Sequence, residues 1–178
     1  QIDSLHTLNT KLTSVLDETN NKLTETTTER DSYKKDAEQK SEQLKKGAKL
    51  QAYGFKSEAL RMKLNNTTEP TTKAKNAIQM RSSFTIGENQ ISSSGRKAIY
   101  LQIIAPSGEI LQSKANYVMN TENGQQAYSD KKDIDYNNQA IDLTIYYDLK
   151  GQEVGKGNFK VKIYCEGQLI GTDSFTLK

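Results

Sequence analysis

The longest stretch of this chain without glycine or proline covers residues 1–46 and ends at Gly47. Because those two residue types are the strongest helix breakers, their absence over this length favours one continuous helix. Apolar residues recur in it at alternating spacings of three and four, which places them along one side of a helix. The first of them are Leu5, Leu8, Leu12 and Val15. We therefore predict a helix from residue 1 to about residue 47, closed by Gly47 as a C-cap glycine after Lys45 and Lys46.

The same spacing continues to the end of the predicted helix, and we call the whole line of residues the helix seam. Its later members are Thr19, Leu23, Thr26, Arg30, Tyr33, Ala37, Lys40 and Leu44. Between Thr19 and Leu23 the phase slips by one residue, a stutter that locally unwinds a supercoil. At 1.5 Å per residue the helix would be roughly 70 Å long, and a solitary helix is marginally stable in water. We therefore predict an oligomeric coiled-coil stalk; the polar composition leaves a disordered tether as the alternative.

A strand hairpin is the clearest feature of the second part of the chain. From Gly157 to Cys165 apolar residues alternate with polar ones, which is the pattern of a half-buried strand. The residues predicted to face inward are Phe159, Val161, Ile163 and Cys165. Glu166-Gly167 predicts a tight turn, after which the chain returns through Gln168–Lys178. An apolar-faced hairpin is marginally stable by itself, so a second layer must cover it.

The segments before this hairpin predict a two-layer β-sandwich. Predicted strands cover Leu50–Leu64 with a kink at Gly54, Ile78–Ile86, Ala98–Ala105, a short return at Ile110–Leu111, and Ile141–Tyr147. Spacing in the first of these also fits a helical turn, so that segment stays open. Asn65–Thr72 predicts a turn with Pro70 as a breaker, and Lys114–Asn138 has no regular pattern. About seven short strands joined by Gly-, Asn- and Pro-rich turns are typical of a sandwich. We predict it for residues 48–178, after a stalk of residues 1–47.

The charge distribution argues against a nucleic-acid partner. The net charge is +3, with 14 Lys/Arg and 11 Asp/Glu in residues 1–75 and 11 of each in the remainder. Nucleic-acid binders usually carry a basic stripe with aromatic residues close to it. Here the excess is spread along a helix of mixed charge, which indicates a solvated face. We therefore predict no nucleic-acid partner.

The residues that usually carry catalysis are sparse. The chain has one cysteine, Cys165, and one histidine, His6, at opposite ends of the sequence, which disfavours a Ser-His-Asp or Cys-His site. Asp130, Asp133 and Asp135 form an acidic cluster, but two lysines interrupt it and it lacks the order of an EF-hand loop. We therefore predict a protein that is not an enzyme, with no cofactor, no catalytic residue and no metal ligand.

Tyrosines gather around the irregular stretch and the strand that follows it. The residues of a possible binding face are Tyr117, Tyr128, Tyr136 and Tyr146. Tyrosine offers a large contact area with a polar tip and is enriched at interfaces. The alternative is that these tyrosines pack within strands, where tyrosine is common. Alternation along the strand that follows Asn138 points Tyr146 outward and Tyr147 inward.

Four segments of the second part carry a resemblance to a known family. They are Ser83–Ile91 (SFTIGENQI), Ile99–Leu111 (IYLQIIAPSGEIL), Asp133–Tyr136 (DIDY) and the tail Gly157–Lys178 (GNFKVKIYCEGQLIGTDSFTLK). In this order they resemble an uncharacterised family of Bacteroidota envelope proteins, in which a membrane helix and a coiled coil precede an immunoglobulin-like β-sandwich. The resemblance implies an immunoglobulin-like fold and an outward-facing, membrane-tethered module. It implies no known activity and no functional residues.

These observations together predict an interaction protein. No apolar run approaches the length of a membrane span, and the chain begins at Gln1 rather than Met, so we expect the native N-terminus and its membrane helix to lie upstream. The expected location is the periplasm or cell envelope, and the expected partners are further copies of the chain, joined through the helix, and an unknown protein or glycan. The alternatives are a carbohydrate- or peptide-binding module and a cytosolic coiled-coil factor.

Overall fold

The computed structural model describes residues 2–114 and 116–178; Gln1, in the predicted helix, and Ala115, in the predicted irregular stretch, lie outside the described residues. The chain divides into two compact units, Gln1–Lys46 and Gly47–Lys178. It forms a long helix followed by a mostly antiparallel β-sheet unit. The elements are α1 (Ile2–Ala48), β1 (Ala52–Met62), β2 (Thr68–Thr71), a 3₁₀ turn (Ala74–Asn76), β3 (Gln79–Ile86), β4 (Gly95–Ile104), β5 (Val118–Thr121), β6 (Gly124–Ala127), β7 (Asp130–Tyr136), β8 (Ile141–Asp148), β9 (Gly157–Cys165) and β10 (Gln168–Leu177).

The C-terminal end of α1 differs from the sequence prediction. Gly47 is a helical residue without a positive φ, so the prediction that it closes the helix as a left-handed C-cap is wrong. The side chain of Asn89 takes over this role, because its Nδ2 donates to the carbonyl oxygens of Gly47 at 2.8 Å and Lys49 at 3.1 Å. Carbonyls at a helix end need such partners, and a side-chain amide supplies them here in place of a glycine turn.

Two four-stranded antiparallel sheets form the β unit. Sheet 1 has the order β2-β1-β3-β8, and sheet 2 has the order β10-β9-β4-β7. β4 lies inside sheet 2, paired with β7 on one side and β9 on the other, as its apolar sequence predicts. Strands β5 and β6 form a separate two-stranded hairpin.

One hydrophobic cluster contains the inward side chains of both sheets. Sheet 1 contributes Phe84 and Leu143 among others, and sheet 2 contributes Leu101 and Val161. The alternation predicted for β9 is confirmed, since all four residues expected to face inward are buried. They are Phe159, Val161, Ile163 and Cys165. The sheets thus cover each other's apolar faces, as the isolated hairpin required.

The first strand pair shows how the sheet tolerates a glycine and a proline. β1 confirms the predicted kink, because Gly54 has a φ of 66° and the pairing with β3 shifts register between Tyr53 and Lys56. The turn predicted for Asn65–Thr72 is shorter than expected, since β2 already begins at Thr68. Pro70 fits into β2 because this strand is at the edge of sheet 1, where a missing N–H leaves one side of the ladder intact.

The stretch predicted to be irregular, Lys114–Asn138, contains the β5–β6 hairpin and the whole of β7. The short polar strands β5 and β6 have no alternating pattern that reveals them in the sequence. The turn between β9 and β10 contains two consecutive residues with positive φ, Glu166 at 51° and Gly167 at 79°. Two consecutive positive φ values are those of a type I′ hairpin turn, whose twist matches the twist of the strands.

Candidate interaction surfaces

The first candidate surface is the helix seam. No residue of α1 is buried, and the large apolar side chains of the seam are between 55% and 73% exposed. They are Leu5, Leu8, Leu12, Val15, Leu23, Tyr33 and Leu44. An amphipathic helix gains most of its stability by packing this face against something else. The seam is therefore a candidate surface for packing against another helix.

The threonines of the seam are compatible with such packing. Thr19 Oγ1 donates to the carbonyl oxygen of Val15 at 2.7 Å, and Thr26 Oγ1 donates to that of Lys22 at 2.8 Å. Because each hydroxyl is hydrogen-bonded within its own helix, its burial would leave no unpaired donor. The γ-methyl groups of these residues are then available for contact with a second helix.

The second candidate surface is a group of four tyrosines and one methionine on the outward side of sheet 2. It consists of Tyr100, Tyr117, Met119, Tyr128 and Tyr164, and we call it the tyrosine cluster. The rings of Tyr117 and Tyr128 are stacked with centroids 5.1 Å apart, and Tyr100 meets Tyr128 edge to face at 4.9 Å. Tyr100 and Tyr164 lie opposite each other on β4 and β9. The cluster is a second, smaller core on the other side of the sheet from the main one.

The β5–β6 hairpin is held against this side of sheet 2 by polar contacts. Gln102 Nε2 donates to the carbonyl oxygen of Ala127 at 2.7 Å, and Gln168 Nε2 donates to Glu122 Oε1 at 2.7 Å. The Glu122 N–H also donates to the carbonyl oxygen of Gly167. Gln102 is itself buried, so its hydrogen bond is made where water is excluded. The hairpin therefore covers the tyrosine cluster with segments of the same chain.

The four tyrosines predicted as a binding face are not on one surface. The structure brings Tyr117 and Tyr128 together in the tyrosine cluster, where they contact their own chain. Tyr136 is fully buried in the main core, its hydroxyl donates to the carbonyl oxygen of Gly87 at 2.9 Å, and burial raises its pKa. Tyr146 is 45% exposed on β8, while its neighbour Tyr147 is buried, as the alternation predicts. Of the four, Tyr146 offers the most ring surface to a partner.

Tyr146 belongs to a polar face on the outward side of sheet 1, which we call the sheet-1 face. It consists of Tyr53, Glu58, Arg81, Thr85, Asp142 and Tyr146. Glu58 and Arg81 are paired across β1 and β3 and form an ion pair, and Tyr146 lies opposite Arg81 on β8. The hydrogen bond that Arg81 Nη2 donates to Glu58 Oε1 is the main cause that raises the pKa of Arg81. Thr85 Oγ1 donates to Asp142 Oδ1 at 2.6 Å.

Sequence inspection missed Glu58 and Arg81 as neighbours. The register between two strands more than 20 residues apart has no local signal in the sequence. The Arg81 Nε group is buried and has no hydrogen-bond partner within residues 2–114 and 116–178. The sheet-1 face therefore combines the exposed ring of Tyr146 with a partly buried guanidinium group that is paired with Glu58.

The acidic cluster on β7 and the nearby aspartates of β8 are on two different sheets. Asp130, Asp133 and Asp135 are on β7, whereas Asp142 and Asp148 are on β8. Asp133 Oδ2 accepts from Arg96 Nη2 at 2.7 Å, and the two residues line a recess of about 180 Å³ together with Asp135. In the part of the chain that the structure describes, no three His, Cys, Asp or Glu residues are grouped so that they could hold a metal ion.

One charged side chain is buried in sheet 2. Lys97 has an inward position on β4, its side chain is 2% exposed, and its Nζ lies 2.6 Å from Glu166 Oε1 and 3.3 Å from Ser93 Oγ. Cys165, adjacent to Glu166, is buried, and burial raises the pKa of its thiol to about 11. A protonated, buried thiol is a poor nucleophile, so Cys165 serves as a small core residue.

The two units place the chain in the class of proteins in which a long polar helix is followed by an antiparallel β unit with two main sheets. The family described as "Domain of unknown function (DUF8428)" matches residues 53–178, and the chain belongs to this family. None of the curated proteins matches the chain.

Among solved structures, the chain is similar to the Pseudomonas fluorescens alkylpurine DNA glycosylase AlkC bound to DNA containing an abasic site analog. The sequences are 11% identical, and the TM-score is 0.39. The match covers 74% of this chain and 31% of the glycosylase chain.

Proposed function

We propose that this protein is a non-enzymatic interaction protein, in which α1 self-associates as a coiled-coil stalk that carries an immunoglobulin-like β-sandwich. The observation that carries the proposal is the helix seam, a line of apolar residues along a 47-residue helix in which nothing is buried. Burial of one leucine side chain stabilises by roughly 1.5–3 kcal/mol. Several leucines per helix therefore suffice to favour association over an isolated, marginal helix.

The immunoglobulin-like assignment is supported by the strand order. If β1, β3, β4, β7, β8, β9 and β10 correspond to strands A, B, C, C′, E, F and G, sheet 1 contains the order A-B-E and sheet 2 the order G-F-C-C′. Residues that face the shared core alternate with outward residues along both sheets, as in such sandwiches. β2, at the edge of sheet 1, and the β5–β6 hairpin are additions to that pattern.

Sedimentation and circular dichroism of the full chain test the stalk. We expect an oligomer at micromolar concentration, with a helical signal that weakens on dilution because association stabilises the helix. Substitution of Leu8→Asn together with Leu12→Asn should shift the chain to monomer and reduce its helicity. The matched control, Thr10→Asn with Ser14→Asn, places the same residue type away from the seam and should leave the oligomer intact. A chain that stays monomeric at high micromolar concentration would exclude the stalk.

A carbohydrate- or peptide-binding function is the second candidate, and the sheet-1 face favours it. Tyr146 is exposed beside Arg81, and an aromatic ring next to a polar donor suits a sugar or peptide ligand. We expect the full chain to bind members of a glycan or peptide array, and Tyr146→Ala to abolish the binding. Leu169→Ala, on sheet 2, is the control that should retain it. If no member of the array binds above background, the carbohydrate- or peptide-binding function is contradicted and the scaffold role remains.

The envelope location and membrane tether are part of the proposal and depend on the resemblance described above. None of the helices in the described part of the chain is long and apolar enough to cross a membrane. The upstream gene sequence tests the tether, because a membrane anchor requires an apolar segment of about 20 residues. Fractionation of cells should then recover the native protein with membranes. Recovery in the soluble cytosolic fraction would favour the cytosolic coiled-coil factor instead.

A further inference from the structure

We infer that the partner of α1 is one second copy of the chain, aligned parallel and in register, and that Glu29 of each helix pairs with Lys34 of the other. The inference rests on the proposed self-association and specifies its geometry. In the heptad that follows the stutter, Leu23, Arg30, Ala37 and Leu44 occupy the a positions and Thr26, Tyr33 and Lys40 the d positions. Glu29 then occupies a g position and Lys34 the following e position.

The charges at the edges of the seam favour this arrangement. In a parallel pair, a g residue lies beside the e residue five positions later on the other helix, and these contacts select partner and orientation. Glu29 and Lys34 have opposite charge at that spacing, and both are exposed. The ion pairs within α1, Glu18–Lys22 and Arg30–Asp31, involve neither of them. Twofold symmetry supplies the Glu29–Lys34 contact twice.

The distribution of apolar residues along the seam also favours a parallel pair. Leucine and valine occupy the seam from Leu5 to Val15, whereas the second half contains Arg30 and Lys40. A parallel pair places the apolar half against itself, so that those side chains are buried together. An antiparallel pair would place them against the half that carries the two cations, each of which would then be desolvated beside an apolar side chain.

The stutter favours alignment in register, and the two seam cations point to a pair rather than a larger bundle. Alignment in register brings the stutters of both helices to the same level, so both are unwound over the same layer. Arg30 is already paired with Asp31 of its own helix at 2.7 Å. In a pair the long side chains of Arg30 and Lys40 can extend from the seam to water, whereas three or more helices would enclose them.

Charge reversal tests the pairing directly. Side chains three and four residues apart are neighbours on one helix, whereas residues five apart are not, so coupling between Glu29 and Lys34 reports contact between two chains. We expect Glu29→Lys or Lys34→Glu alone to raise the dissociation constant of the dimer about tenfold at low salt, since both symmetry-related pairs become repulsive. The double variant should restore most of the affinity. The matched control, Lys35→Glu with Glu42→Lys at outward f positions, should show no coupling.

Cross-linking distinguishes a failure of this geometry from a failure of self-association. Chains with Leu5→Cys and chains with Leu44→Cys are mixed, allowed to equilibrate and oxidised; Cys165 is buried, so we expect it not to join these disulfides in the folded protein. We expect disulfides only between like positions. An oligomer that instead joins position 5 to position 44, or that shows no coupling in the charge cycle, overturns the parallel pair alone. A monomeric unmodified chain overturns both the geometry and the proposed function.

Discussion

Lys97 shows how this fold accommodates a charge at a core position. Lys97 has the same parity on β4 as Ile99 and Leu101, which are buried. Its Nζ nevertheless pairs with Glu166 Oε1 in the turn after β9. A buried charge that loses its counter-ion is strongly destabilising, whereas replacement of the whole pair by an apolar residue often costs little. The Lys97–Glu166 ion pair therefore matters mainly because Lys97 is buried and needs its counter-ion.

Removal of the two partners of this pair should have unequal effects. We expect Glu166→Gln to lower the free energy of unfolding by about 1–3 kcal/mol, because the Lys97 ammonium group would stay buried without a counter-ion. Lys97→Met should change it by less than about 1 kcal/mol, since an unbranched apolar chain fits the same space. Urea denaturation of both variants measures the difference. Equal losses would contradict the explanation that an uncompensated buried charge causes the effect of Glu166→Gln.

The reactivity of Cys165 tests the burial of the same region. Its pKa of about 11 leaves the thiol protonated at pH 8, and its side chain is buried. We expect a thiol reagent such as dithionitrobenzoate to react with the folded chain far more slowly than with the chain in denaturant, where the pKa returns to its ordinary value near 8.5. The rate of colour formation with and without urea provides the comparison. Immediate reaction of the folded protein would contradict the placement of Cys165 in the core.

At the scale of single elements, the long and strongly patterned segments were predictable and the short ones were not. α1, β3, β4, β8 and the β9–β10 hairpin follow from spacing and alternation alone. β5 and β6 are four-residue polar strands, and their stability depends on Tyr100 and Tyr164, which are far away in the sequence. The prediction of Tyr136 as part of a binding face depends on the absence of a predicted strand in Lys114–Asn138; on β7 it shares the inward parity of Ile134.

The β5–β6 hairpin should depend on the ring of Tyr128. This ring is stacked on Tyr117 and meets Tyr100 edge to face, so its removal leaves a cavity and breaks both aromatic contacts. We expect Tyr128→Ala to lower the free energy of unfolding by about 3–5 kcal/mol. Tyr146→Ala, which removes a half-exposed ring, should cost about 1 kcal/mol or less. Equal effects in urea denaturation would mean that the hairpin does not cover a packed cluster.

The molecule as a whole combines two units that differ in burial. Gly47–Lys178 contains the buried residues, whereas the helix has none, although both come from one chain of low hydrophobic content. A globular unit is stabilised by its own core, while an exposed helix of this length depends on association. The sequence indicates this contrast through the position of its glycines and prolines and through the spacing of its apolar residues. Strand order cannot be deduced in the same way, because strand pairing between distant segments has no local signal.

Removal of residues 1–46 should therefore abolish self-association and leave the folding of the β unit unchanged. We expect residues 47–178 to unfold in urea with a free energy within about 1 kcal/mol of the β-unit transition in the full chain, because their core includes no residue of the deleted segment. The shortened chain should be monomeric and its melting temperature independent of concentration, whereas the helical signal of the full chain should melt at a temperature that rises with concentration. Circular dichroism at two concentrations tenfold apart measures both. A shortened chain that fails to fold would show that the β unit is not stable by itself. A shortened chain that still associates like the full chain would show that association does not depend on the helix.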